Sequence, residues 1–177
     1  MMPPVPSTLM SPVSAQDHCW GPTTAALTLV QYGDYQCPHC GALYPLLMEL
    51  LGDMGDRLCF VFRHFPRRPV HPHAQHAAEA AEAAASQGKF WPMHHHLYTH
   101  QHALGNGYLV EYAVELGLDV TQFLQEVTGD RFVSRVQADI ASGRASGVVD
   151  TPTFFINGRR YGGAHTPTAL RHALSTA

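Results

Sequence analysis

The chain has 177 residues, 45% of them hydrophobic, and a net charge of −3 with histidine neutral. That length fits one domain, with room for a helical insertion, and the composition excludes a disordered chain. Without a basic excess to neutralise phosphates, nucleic acid is not expected as a partner, and the isolated pairs Arg67-Arg68 and Arg159-Arg160 do not change this.

The first 22 residues hold five prolines and no lysine or arginine, and residues 1–24 read as an irregular arm along the domain surface. They lack the positive start and apolar run of a secretory signal. No stretch approaches the roughly 20 apolar residues of a membrane span, so no membrane insertion is expected. The expected location is the cytoplasm, or an extracytoplasmic compartment if a leader has been removed.

Leu27 to Val30 begins the first clear strand, over about residues 26–33. Next comes Asp34-Tyr35-Gln36-Cys37-Pro38-His39-Cys40. Leu43, Leu46, Leu47, Leu50 and Met54 then repeat at helical spacing, with Pro45 inside the helix they predict. Arg57 to Phe65 is apolar almost throughout and predicts a strand covered on both faces. Helices follow over about 73–86 and 89–101, from Leu109 to Leu116, from Val120 to Val127, and from Phe132 to about Ser146. Thr153 to Ile156 is strand-like, Asn157-Gly158 marks a two-residue hairpin, and Arg159-Arg160-Tyr161 returns. Thr166-Pro167 has the form of a helix cap, and a helix over Ala169 to Ser175 ends the chain.

Of the four cysteines, only Cys37 and Cys40 lie close in sequence. A disulfide framework is not expected in a chain this long. Cys59 reads as an inert core residue. Cys19 in the arm reads as a free thiol or a site of pairing between chains. Cys37 falls where a helix begins, and unpaired backbone N–H groups there stabilise a thiolate, the reactive form of cysteine. Cys40, one turn on, can attack a mixed disulfide formed at Cys37. Tetrahedral zinc wants four ligands, and Cys19 and Cys59 make no second close pair. His94-His95-His96 with His100 includes one i, i+4 pair, read as a solvated face; no metal site is assigned.

The set Cys37-Pro38-His39-Cys40, Pro45 and Thr151-Pro152-Thr153-Phe154-Phe155-Ile156-Asn157-Gly158 resembles the thioredoxin superfamily in its DsbA-like branch. Phe62-Arg63-His64-Phe65-Pro66 and Gly88-Lys89-Phe90-Trp91 resemble stretches common in bacterial members. The resemblance implies an α/β thioredoxin fold: a central mixed sheet flanked by helices, with an inserted helical domain. It implies an arm over 1–24, a thioredoxin-like domain over 25–65 and 151–177, and a helical domain over 66–150. It further implies that Pro152 follows a cis peptide bond, faces the cysteine pair and, with Thr151, binds substrate. Members commonly carry a buried acid six residues before the first cysteine; Gln31 stands there, and glutamine cannot titrate.

The expected activity is therefore thiol–disulfide exchange on protein cysteines, without a bound cofactor. Cys37 is the nucleophile, Cys40 resolves, and Pro38 and His39 tune the pair toward oxidation. Its partners would be thiol- or disulfide-containing proteins and a redox partner that resets the pair. Alternatives are a chaperone-like client-binding protein on the same fold, or a glutathione-dependent transferase or isomerase, against which Cys40 argues.

Overall fold

The structure, a computed structural model, describes residues 6–177. It divides into two compact units. One comprises the chain up to Gly33 with Ala42–Arg63 and Ala141–Ala177; the other comprises Asp34–Gly41 and His64–Ile140. The cysteine turn thus groups with the helical unit.

The first unit is built on a five-stranded sheet, in the order β1 (His18–Trp20), β3 (Leu58–His64), β2 (Leu27–Gly33), β4 (Thr153–Ile156), β5 (Arg159–Arg160). Strands β1/β3, β2/β4 and β4/β5 pair antiparallel. The central pair β3/β2 is joined through α1 (Pro38–Met54) and supplies the parallel part of a mixed sheet. Leu29, Val30, Tyr32, Phe60, Val61, Phe62, Phe154 and Phe155 are fully buried, as continuous apolar strands require. At the β4–β5 hairpin, Asn157 (φ 47°) and Gly158 (φ 76°) both take the left-handed conformation expected of Asn-Gly. Thr166 caps α7 (Pro167–Ser175), its side chain accepting from the Ala169 N–H.

The described part of the arm is more ordered than its prolines suggest. Residues 1–5, with Pro3 and Pro4, lie outside the described residues. Thr8 bridges to Arg159 beside β5, while β1 lies on β3 at the opposite edge, so the arm covers both rims of the sheet. Arg63 holds the intervening segment: its guanidinium donates to both Asp17 carboxylate oxygens (2.7 and 3.0 Å) and to the Ser11 (2.8 Å) and Pro12 (3.1 Å) carbonyls. Gly21, at φ +92°, ends β1 where an added Cβ would strike the Leu58 carbonyl.

The cysteines correct an expectation. Cys19 and Cys59 form a disulfide, with Cα atoms 6.0 Å apart. Neither is a free thiol, because β1 sets Cys19 opposite Val61 and hence diagonal to Cys59 on the same face.

The second unit holds α2 (Ala74–Ala85), α3 (Phe90–Thr99), α4 (Asn106–Glu115), α5 (Val120–Thr128) and most of α6 (Val133–Ala145). Alanine lets helices approach closely along α2, where ten of twelve residues are buried. Phe90, Met93 and Leu97, at helical spacing on α3, are buried; on α5 Phe123 is buried and Leu124 beside it is exposed. Among the described residues no helix is long and apolar enough to cross a membrane.

The disulfide closes a loop of 40 residues, which the chain-entropy argument values at about 4 kcal/mol. We expect Cys19→Ala to lower unfolding free energy in urea by about that amount under non-reducing conditions, and to make the remaining stability insensitive to reductant.

Candidate active site

Cys37 immediately precedes α1, and its carbonyl accepts the first helical bond, from the Gly41 N–H at 3.0 Å. It is therefore the helix N-cap. An N-cap side chain is aimed at the N–H groups of the second and third helical residues, here His39 and Cys40, and at the positive end of the helix dipole. Pro38 fills the first helical position, where its missing N–H costs nothing. Pro38 and His39 are exposed. Cys37 is 3% exposed and Cys40 is wholly buried; both are thiols here, not joined to each other.

The turn carrying Cys37 is held from several sides by its own unit. Asp34 is buried, and its carboxylate accepts from the Gln36 N–H (2.7 Å), the Arg67 N–H (2.8 Å) and His71 Nδ1 (2.7 Å). The Asp34 carbonyl accepts from the Cys37 N–H at 3.1 Å. The Gln36 side chain accepts from the His73 N–H at 2.8 Å. Gln101, just after α3, donates from Nε2 to the carbonyls of Tyr35 and Cys37, both at 2.8 Å. The backbone groups of the turn are thus tied to fixed partners, and the sulfur of Cys37 inherits that order.

Beneath the turn lies an aromatic cluster. Tyr35 Oη and His94 Nδ1 share a hydrogen bond of 2.9 Å, and both residues are 1% exposed. The Tyr98 ring sits 4.9 Å from that of Tyr35 and 5.0 Å from that of His94. Burial first, then the negative charge that Cys40 can carry, pushes the Tyr98 hydroxyl well above its usual ionisation range, so it stays a phenol. His64 Nε2 donates to Glu82 at 2.8 Å, deeper in the same unit.

Other anticipated residues are placed as follows. The Thr151-Pro152 bond is cis, and both residues are buried in the first unit. Gln31 is 1% exposed on β2, opposite Phe154. The three consecutive histidines diverge: His94 is buried, His95 exposed and His96 half-buried. His96 stacks on His100 (5.7 Å) and on Tyr112 (5.4 Å), and burial, with His100 and His95 nearby, lowers its pKa against the opposing pull of Glu115.

Asp34, Tyr35, His71, Tyr98 and Gln101 were given no role by sequence, since their partners are far along the chain, and His94, read with its neighbours as part of a solvated face, is buried instead. One signal was present. Gly41 sits inside a helix, where glycine is costly unless something approaches closely, and a Cβ there would strike the Gln101 amide.

A family model described as thioredoxin matches residues 14–176. The chain belongs to the thioredoxin family. Its architecture is that of the DsbA-like members: it superposes on BdbD from Bacillus subtilis with a TM-score of 0.83 at 20% identity, covering 97% of both chains. A thioredoxin-like oxidoreductase from Silicibacter pomeroyi gives 0.81 at 23% identity, covering 92% of each. The thiol-disulfide exchange protein alpha-DsbA2 from Wolbachia pipientis gives 0.80 at 21%, covering 92% of this chain and 87% of that one. Among curated proteins, a Na(+)/H(+) antiporter NhaA of Herminiimonas arsenicoxydans is 44% identical over 173 residues, which is 96% of this chain and 27% of that protein. NhaA 1 of Salinispora arenicola is 45% identical over 170 residues, 96% and 26% respectively. The chain spans about a quarter of the length of these curated relatives.

Asp34 is the anchor most open to test. Asp34→Ala leaves two backbone N–H groups and His71 without their acceptor, and we expect a loss of about 3 kcal/mol in urea unfolding; a loss below about 1 kcal/mol would contradict the anchoring role.

Proposed function

We propose that this chain is a thiol–disulfide oxidoreductase acting on protein cysteines, with Cys37 as nucleophile and Cys40 as resolving thiol. The observation that carries this is Cys37 at the N-cap of α1 with a buried second cysteine one turn on. That arrangement favours a thiolate at Cys37 and keeps Cys40 in reserve.

In the oxidising direction a client thiolate attacks the sulfur of Cys37 in the Cys37–Cys40 disulfide. The S–S bond breaks, Cys40 leaves as a thiolate and takes up a proton, and a mixed disulfide remains. A second client thiolate attacks the client sulfur of that bond and releases Cys37 as a thiolate. The client loses two electrons and the pair gains them. The reducing direction is the same sequence reversed. A stabilised Cys37 thiolate makes the reduced pair the favoured product, so oxidation of clients is the expected net direction. Pro38 and His39 belong to this tuning. For Thr151 and Pro152 we propose client docking: a backbone beside a cis proline offers its polar groups to an extended peptide as an added strand. No cofactor is required by these steps; a separate redox partner must reoxidise the pair.

The Cys19–Cys59 disulfide supports an oxidising, extracytoplasmic setting rather than the cytoplasm, since such bonds rarely persist among reducing thiols. The curated relatives carry their matching stretch within longer proteins named as Na(+)/H(+) antiporters.

Oxidative refolding of a reduced client, or insulin reduction for the reverse reaction, tests the proposal. Cys37→Ser is expected to lower the rate to that without protein, while Cys40→Ser accumulates a mixed disulfide that reductant releases. Full activity in Cys37→Ser would overturn the assignment.

A further inference from the structure

We propose that Gln101 is a positioning residue for the nucleophile: its side-chain amide clamps the carbonyls of Tyr35 and Cys37 and so sets the reactivity of Cys37. The inference rests on the oxidoreductase reading but is measured independently of it.

Both hydrogens of a single amide group are used. Gln101 Nε2 lies 2.8 Å from the Tyr35 carbonyl and 2.8 Å from that of Cys37. The Cys37 carbonyl already accepts from the Gly41 N–H at 3.0 Å, so the amide adds a second donor to an oxygen engaged by the helix. The other end of the amide, Oε1, lies over Gly41, 1.9 Å from the point an added Cβ would occupy. Glycine at 41 is therefore the seat of the Gln101 amide, in a helix that would otherwise be better served by alanine.

Two consequences follow for the sulfur. Carbonyl oxygens carry partial negative charge, and those of Tyr35 and Cys37 lie within two residues of the Cys37 thiolate along the chain. Donors placed on them offset that charge. The clamp also fixes the backbone on both sides of Gln36, holding Cys37 in its N-cap conformation. Losing the amide removes both effects, and each disfavours the thiolate.

The test is the pH dependence of Cys37 alkylation by iodoacetamide, in a Cys40→Ser background so that one thiol reacts. Titratable groups of this unit at the turn include Asp34 and Tyr35 on it, His71 bonded to Asp34, His39 on α1 and His94 and Tyr98 on α3, and all are retained. Gln101→Leu removes the donors at similar volume and should raise the alkylation midpoint by about half to one pH unit, a roughly three- to tenfold loss of rate below the midpoint. Gln101→Glu brings an acceptor carrying negative charge to the same oxygens and should raise it further. Gly41→Ala, which displaces the amide while improving the helix, should shift it in the same direction. A midpoint unchanged within about 0.2 units in Gln101→Leu and Gly41→Ala, with native circular dichroism, would overturn the clamp. If the shifts occur but the wild-type protein exchanges no disulfides, the oxidoreductase reading fails and the clamp stands.

Discussion

The structure depends on one turn being held still. Residues 34–37 connect a buried strand to a helix, and the role proposed for Cys37 requires it to cap that helix. A four-residue turn has few hydrogen bonds of its own to spend on this. The Asp34 carboxylate accepts three more, from the Gln36 and Arg67 N–H groups and His71 Nδ1, on a side chain sealed from water. Hydrogen bonds to a buried charge are stronger than neutral ones, and leaving such a charge unpaired is costly. The same hydrogen bonds that stabilise the turn therefore fix the backbone leading to Cys37, the proposed nucleophile. Gln101 completes it from the carbonyl side.

What the sequence disclosed was local. The helix start at Cys37, the Asn157-Gly158 turn, the Thr166 cap and the apolar face of α3 are decided by neighbours within four residues, and they stand where spacing placed them; on α1 Leu43, Leu47, Leu50 and Met54 are buried, but Leu46 of the same repeat is exposed. What it concealed was long-range. His71 lies 37 residues from Asp34, and Gln101 lies 64 from Cys37. No periodicity links such partners. The cis bond before Pro152 was anticipated through family resemblance, not from composition, because trans is the commoner isomer for any proline.

Cys19 and Cys59 make the same point through an error. Cys59 in an apolar strand and Cys19 in a proline-rich arm gave no sign of meeting. A strand of only three residues, His18–Trp20, brings them together, and it forms because β3 offers an open edge rather than because its own sequence demands it. That bond bears on stability, and it is the observation behind the oxidising setting proposed above.

The redox equilibrium of Cys37 and Cys40 against glutathione tests this account most directly, because a thiolate favoured by the helix start must appear as a disulfide that is easily reduced. The account predicts a potential nearer the value of about −120 mV typical of a strong disulfide donor than the value of about −270 mV typical of a reductase. A potential at or below about −270 mV would contradict it, since the helix start would then confer no preference for the reduced pair.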